Sequence, residues 1–158
     1  MPEKIDLDII QNELMILPEF YNQICLQGIK EFSDPFFGCG SGNLTAAGKV
    51  ASFAPYKEED FKYPNFDLPY INSLIEKLNI YRTRVLILHP NSCYSIHSDN
   101  NKRIHIPIVT DEKCWLIVDK EVIHLPADGN YYEIDTTKQH TALNGSRTTK
   151  RIHIVGCL

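Results

Sequence analysis

Cys93-Tyr94-Ser95-Ile96-His97-Ser98-Asp99-Asn100-Asn101-Lys102-Arg103-Ile104-His105-Ile106-Pro107-Ile108-Val109 is the stretch that decides the fold. β-Branched and aromatic residues flank an Asp-Asn-Asn turn signal, which predicts strands over 93–98 and 103–109. Side chains two apart on a strand share a face. Arg103 and His105 therefore point one way, and Ile104 and Ile106 the other. The tetrapeptide returns 48 residues later as Arg151-Ile152-His153-Ile154. One copy alone reads as a polar face over an apolar core. Two copies in one short barrel read differently, because an interior lined by Arg and His needs an anion or a metal to satisfy it.

Working outward, the strand-like period starts near residue 82. Further strands are expected near 82–89, 114–118, 121–125, 130–135, 140–144 and 151–157, with turn signals at Asp128-Gly129-Asn130 and Asn144-Gly145-Ser146. The first half has a different period. Ile9, Ile10, Leu14, Ile16 and Leu17, then Phe20, Tyr21, Ile24, Cys25 and Ile29, recur near helical spacing. This predicts helix across 8–30, divided at Pro18. Leu68, Ile71, Leu74, Ile75 and Leu78 predict a further helix over 68–80, with Pro69 at its start. Residues 31–67 read as irregular. The fold class expected is mainly β, a jelly roll or double-stranded β-helix of the cupin kind with N-terminal helices packed outside. The whole of 1–158 is expected to be one domain, with 1–81 helical and loop-like and 82–158 forming the barrel that carries the site.

Composition sets limits. At 158 residues and 18.1 kDa the chain can bury a core without staples. No apolar run reaches the ~18 residues of a membrane span, and the polar start Met1-Pro2-Glu3-Lys4 is not a signal peptide. Five cysteines, odd in number and without a CxxC pair, argue against a disulfide framework or a structural zinc site. A cytoplasmic location follows as the expectation. Net charge is −4, so no basic nucleic-acid footprint is present. Residues 1–79 carry a net of −6 and residues 80–158 a net of +2, and all six histidines lie in the second half.

The sharpest local motif is His97-Ser98-Asp99. His97 and Asp99 share a strand face, and His140 follows 43 residues later. Two imidazoles and a carboxylate on one face of an octahedral ion form the facial triad of non-haem Fe(II) oxygenases. An isolated His-x-Asp is a weak signal. The later histidine, with Arg151 eleven residues beyond it, makes the set specific. His89 and His124 read as structural or hydrogen-bonded histidines. His105 and His153 read as support for the site, with His153 also compatible with a ligand role. Gly38-Cys39-Gly40-Ser41-Gly42 lacks the Lys-Ser/Thr ending of a phosphate loop, and a lid near the pocket mouth is the better reading. Trp115 and Tyr131-Tyr132 read as packing.

Residues 84–156 resemble the aspartyl/asparaginyl β-hydroxylase family of Fe(II)/2-oxoglutarate dioxygenases. The resemblance is carried by Leu88-His89-Pro90, His97-Ser98-Asp99, Arg103-Ile104-His105-Ile106-Pro107-Ile108, Pro126-Ala127-Asp128-Gly129, Tyr132-Glu133-Ile134-Asp135, His140-Thr141-Ala142-Leu143-Asn144 and Arg151-Ile152-His153-Ile154-Val155. It implies a double-stranded β-helix with Fe(II) on His97, Asp99 and His140. It implies 2-oxoglutarate contacts from Arg103, His105 and Arg151, with Asn144 as nearby support. O₂ is the oxidant, and the substrate is a small molecule or peptide bearing an Asp, Asn or Pro unit. Some members carry glycine at the position of Asp99. Some carry serine at that of Leu86, where it helps hold the far carboxylate. Specificity is expected to come largely from residues 31–67, which match nothing in the family. The alternatives are a cupin-like metalloprotein with another reaction, or a silent binding module.

Overall fold

The structure, a computed structural model, describes residues 3–40 and 55–158. In chain order they form helix α1 (Leu7–Leu14), strands β1 (Gln23–Cys25) and β2 (Gln27–Gly28), a 3₁₀ turn (Glu58–Asp60), β3 (Tyr63–Pro64) and helix α2 (Pro69–Leu78). Then follow β4 (Tyr81–Leu88), β5 (Ser92–Cys93), β6 (Arg103–Val109), β7 (Cys114–Val118), β8 (Glu121–Ile123), β9 (Tyr132–Ile134), β10 (His140–Asn144) and β11 (Arg151–Cys157).

The strands from Tyr81 onward, joined by β1, build two antiparallel sheets. One has the order β1-β4-β11-β6-β9 and the other β5-β10-β7-β8. From β4 to β7 the chain passes back and forth between the sheets, and from β8 to β11 it does so again. The second run interleaves with the first, so β11 lies between β4 and β6, and β10 between β5 and β7. This is a jelly roll, a double-stranded β-helix. The repeated tetrapeptide explains part of the pairing. β6 and β11 are neighbours, with Val155 opposite His105 and Ile154 opposite Ile106.

Both faces of the larger sheet are buried, for different reasons. Ile104, Ile106, Ile108, Val85 and Ile154 point outward and pack with Ile10 of α1 and Ile71 and Ile75 of α2. The helices therefore cover the outside of the barrel. Arg82, Arg84, Arg103, His105, Arg151 and His153 are also buried. They occupy the alternate positions, facing the smaller sheet. A separate apolar cluster of Leu88, Leu116, Val118, Leu125, Ile134 and Ala142 joins the two sheets.

α1 begins where Asp6 accepts hydrogen bonds from the backbone N–H groups of Asp8 and Ile9 at 3.1 Å. This is an N-cap. α2 starts at Pro69 without a side-chain cap of its own. Its first turn is capped from outside: both Glu13 oxygens, on α1, accept from the N–H groups of Tyr70 and Ile71 at 2.7 and 2.9 Å. α2 ends at Asn79, in the left-handed conformation at φ 50°.

Two expectations are corrected. The segment after Pro18 is not helical, for β1 and β2 replace it. β4 has an open sheet edge, and pairing Gln23, Ile24 and Cys25 with Leu86, Val85 and Arg84 satisfies both backbones. Tertiary pairing overrides a loose helical period. Gly28 lies so close to Asn65 that a Cβ would sit 2.6 Å from its Oδ1. The strand expected over 93–98 also ends early, at Cys93, with one isolated bridge between His97 and His140. No helix among the described residues is long and apolar enough to cross a membrane.

Glu13→Ala should remove the cap of α2 and lower unfolding free energy by about 1–2 kcal/mol in urea denaturation. An unchanged midpoint would show that the helix does not depend on this contact.

Candidate metal centre

His97, Asp99 and His140 converge at one end of the space between the sheets. Their ligand-capable atoms all lie within 4.8 Å of one another. His140 opens β10, and the segment holding His97 bridges to it through reciprocal backbone hydrogen bonds of 3.1 and 2.8 Å. The Asp99 backbone N–H donates to Thr136 O at 2.8 Å. The broken ladder after Cys93 matters here. It turns Ser95 O toward the His97 ring, which donates from Nδ1 at 2.7 Å. His140 Nδ1 donates to Lys138 O at 2.9 Å. A carbonyl can only accept, so both rings carry their proton on Nδ1 and turn the Nε2 lone pair inward. His97 Nε2 lies 3.8 Å from Asp99 Oδ1, and His140 Nε2 lies 3.6 Å from Asp99 Oδ2. These distances are too long for hydrogen bonds. Burial holds His140 below the ordinary histidine pKa, in the neutral form that ligates. This donor set fits a divalent metal of the non-haem iron type.

Behind the triad lies a cavity of about 720 Å³, within the usual range for small-molecule sites. Leu86, Leu116, Ala142 and Val155 give it apolar walls. Its charged groups divide into two classes. Arg103 is ion-paired on both sides: Nε lies 3.3 Å from Asp99 Oδ2, Nη1 2.9 Å from Glu58 Oε2 though without hydrogen-bond geometry, and Nη2 donates to Glu58 Oε1 at 3.2 Å. Arg151 is only 3% exposed and has no hydrogen bond or ion pair through its guanidinium among the described residues. Tyr94 Oη, also lining the cavity, is likewise buried without a partner. An unpaired buried guanidinium beside an unpaired phenol is costly unless an anion enters.

His105 and His153 touch through their Nδ1 atoms at 3.3 Å, and their rings stand edge to face. Burial, then Arg151 and Arg103, push His105 down to about 3. Burial, Arg151 and His105 push His153 well below its usual value. Both are neutral in the folded state. Glu58 behaves oppositely: burial would raise it, but Arg103, the Cys157 thiol and Arg82 together hold it below the usual carboxylate value.

The structure thus brings His97, Asp99, His140, Arg103, His105 and Arg151 to one cavity. Asn144 is not brought to it. Its Nδ2 donates to Leu88 O and Thr149 O, and its Oδ1 accepts from Ser146 N and Cys114 Sγ. This amide knits the end of β10 to its neighbours and has no donor left. His89 stacks on Tyr21, and His124 bonds Cys114 O. Of the expected glycine-rich lid, residues 41–48 lie outside the described residues. The carbonyls of Gly38 and Gly40 accept from Arg82. Trp115 and Tyr131 are exposed rather than packed. Sequence reasoning missed Tyr94, Glu58, Arg82 and Arg84. The alternation Arg82-Thr83-Arg84-Val85 was a signal for the two arginines, by the same period-two rule that exposed Arg103 and His105.

A family model for aspartyl/asparaginyl beta-hydroxylases matches residues 49–156. The chain belongs to that family. No curated protein sequence matches it. Among solved structures it is similar to a conserved Streptococcus pyogenes protein of unknown function, with TM-score 0.39 and 13% identity over 48% of this chain and 61% of the other. A cupin superfamily protein from Desulfitobacterium hafniense gives 0.37 and 10% over 49% and 66%. A predicted oxalate decarboxylase from Thermotoga maritima gives 0.38 and 15% over 53% and 74%. The aligned part spans about three fifths of the first of these. In this hydroxylase family member, the triad and the barrel interior lie within the matched residues.

Replacing His140 with Ala should weaken Mn(II) or Fe(II) binding by more than the ~10–100-fold lost when a supporting outer group is removed. Titration of the apo-protein with Mn(II) measures it, and wild-type affinity would refute the site. His105 and His153 make a second expectation. Unfolded histidine binds a proton near pH 6.5, whereas the folded groups do so only at much lower pH. Their stabilising share is present above pH 6.5 and is lost as pH falls toward the folded values. Denaturation series from pH 7.5 to 4.5 should show this loss, shallower in His153→Gln.

Proposed function

We propose that the chain is an Fe(II)- and 2-oxoglutarate-dependent dioxygenase that hydroxylates an amino-acid or peptidyl substrate. The observation that carries this reading is Arg151, buried without a counter-charge in the cavity that holds the triad. A facial triad alone suits many metals and reactions. A triad sharing its cavity with an unpaired guanidinium suits a metal-chelating acid with a second carboxylate.

His97, Asp99 and His140 would hold Fe(II), which with the bound oxo acid supplies O₂ activation: one oxygen atom goes to the substrate as hydroxyl, the other to succinate, with release of CO₂. The chain's own residues do the positioning. Backbone carbonyls at Ser95 and Lys138 fix both ring tautomers. Arg103 holds Asp99 in place through Nε, 3.3 Å from Oδ2. Arg151 offers two parallel donors to the distal carboxylate, with Tyr94 Oη as a third. Arg103 is the weaker candidate for that anchor, since Glu58 and Asp99 already occupy it. Neutral His105 can hydrogen-bond the cosubstrate without adding charge. The apolar walls exclude water from the reacting centre.

The test is succinate formation that depends on both iron and 2-oxoglutarate. Arg151→Ala should raise the 2-oxoglutarate requirement by roughly 30-fold to several-thousand-fold, the usual consequence of truncating one partner of a buried charged pair. Mn(II) binding should stay near wild type, and Arg151→Lys should fall between. Unchanged 2-oxoglutarate affinity in Arg151→Ala, or turnover indifferent to the oxo acid, would sink the reading.

A further inference from the structure

The cavity holds more positive charge than this reading uses. Four arginines line it, Arg82, Arg84, Arg103 and Arg151, against two carboxylates that reach it from buried or half-buried positions, Glu58 and Asp99. At the exposed mouth, Lys57 and Glu59 cancel. A divalent cation and a doubly ionised oxo acid also cancel, so the excess survives loading. Glu58 pairs with Arg82 and Arg103, and Asp99 with Arg103. Arg151 is assigned to the oxo acid. Arg84 is left over.

Arg84 lies on β4, is 6% exposed, and has neutral acceptors only. Its Nη1 donates to Gln23 Oε1 at 3.0 Å and to Gly40 O at 3.1 Å. Its Nε is buried with no partner. The Nε–Nη2 edge makes no hydrogen bond among the described residues, and this edge is the side of a guanidinium that grips a carboxylate with two parallel bonds. Residues 41–54 read Ser-Gly-Asn-Leu-Thr-Ala-Ala-Gly-Lys-Val-Ala-Ser-Phe-Ala and contain no acid that could serve as counter-charge. Gln23 is itself fixed, since its Oε1 also accepts from the Gly40 N–H at 2.9 Å. Several ionisable groups lie near Arg84, among them Cys25, Cys157 and Tyr94, whose pKa values are raised, and one thiol is drawn the other way. The Cys39 thiol, 3.6 Å from that of Cys25, is drawn below its usual pKa by the Cys25 hydrogen bond, Arg84 and Arg82.

We propose that Arg84, positioned by Gln23, is the subsite for a carboxylate of the substrate, so that the enzyme takes a small organic acid of the amino-acid kind. This rests on the dioxygenase reading above, and it names the group by which that substrate is held. Arg84 belongs to β4 and Gln23 to β1, so the subsite is built where the N-terminal part of the chain joins the barrel.

The experiment uses the full chain loaded with Mn(II) and 2-oxoglutarate without oxygen, so that binding is read without turnover. The common amino acids and their primary amides are titrated by calorimetry. At least one acid should bind about 30-fold or more tightly than its amide. Arg84→Gln should abolish that preference while Mn(II) and 2-oxoglutarate affinities stay unchanged, which also shows that the variant folds. Arg84→Lys should keep part of the preference, and Cys39→Ser all of it. Amides that bind as well as acids, a panel in which nothing binds, or Arg84→Gln with wild-type preference each overturns the subsite. So does loss of the preference in Cys39→Ser alone, which would make the thiolate the relevant partner of Arg84. Failure of the wild type to bind 2-oxoglutarate takes down the dioxygenase reading and the subsite with it. Intact 2-oxoglutarate binding without acid preference takes down the subsite alone.

Discussion

Arg103 lies between two carboxylates, Asp99 on the side of the His97 and His140 rings and Glu58 on the other, and much of the structure follows from that arrangement. A guanidinium this deeply buried must be paired, since removing either acid would leave a charge stranded in low dielectric. Glu58 reaches it from the 3₁₀ turn that precedes β3, and also accepts the Cys157 thiol at 2.7 Å from the end of β11. One carboxylate thus ties the irregular segment before α2 to β4, β6 and β11. On the other side, the same arginine pairs with Asp99, which lies between two imidazoles. The His97–Asp99–His140 cluster and the anchoring of the N-terminal part share one chain of charges.

The barrel can hold such groups only because its outside is covered. In an antiparallel sheet with one wet face, arginines would face water and isoleucines the core. Here α1 and α2 take the isoleucine face, leaving the arginine and histidine face enclosed. The enclosed polar groups fall into two sets. Arg82 and Arg103 are satisfied by Glu58, Asp99 and backbone carbonyls, and so hold the walls together. Arg151, Tyr94 Oη and Arg84 Nε are not satisfied from within. The first set is architecture, and the second has no hydrogen-bond partner among the described residues. A solvated surface would have blurred this division, because water satisfies any donor.

Much of the site could be read from the chain because strand geometry is local. Residues two apart on a strand share a face, which joins Arg103 with His105 and Arg151 with His153, whereas His97 and Asp99 lie beyond the end of β5 and meet His140 through an isolated bridge. The repeated tetrapeptide marked strands that turned out to be neighbours. The same period explains the errors. Ile24 and Cys25 fit a loose helical spacing, yet the open edge of β4 recruits them as a strand. The segment after Cys93 has strand composition but leaves the ladder, and that departure is what aims Ser95 O at His97. Asn144 follows His140 at a suggestive distance, but its amide is consumed by Leu88, Thr149, Ser146 and Cys114.

The sequence by itself determined the change from helical to strand period near residue 81, which two histidines and which aspartate the fold gathers into one cluster, and the alternation that turns Arg and His to one side. Each of these depends on neighbours within a few residues, or on residue types that only certain chemistry requires. Which arginine is engaged and which is left open was decided by tertiary structure. Arg103 and Arg151 occupy equivalent places in the repeat, and nothing local distinguishes them. Glu58, 45 residues before Arg103, neutralises one and not the other. The fate of Tyr94 and Arg84 was settled in the same way, because the partner of a buried charge depends on which distant segments the fold brings within reach.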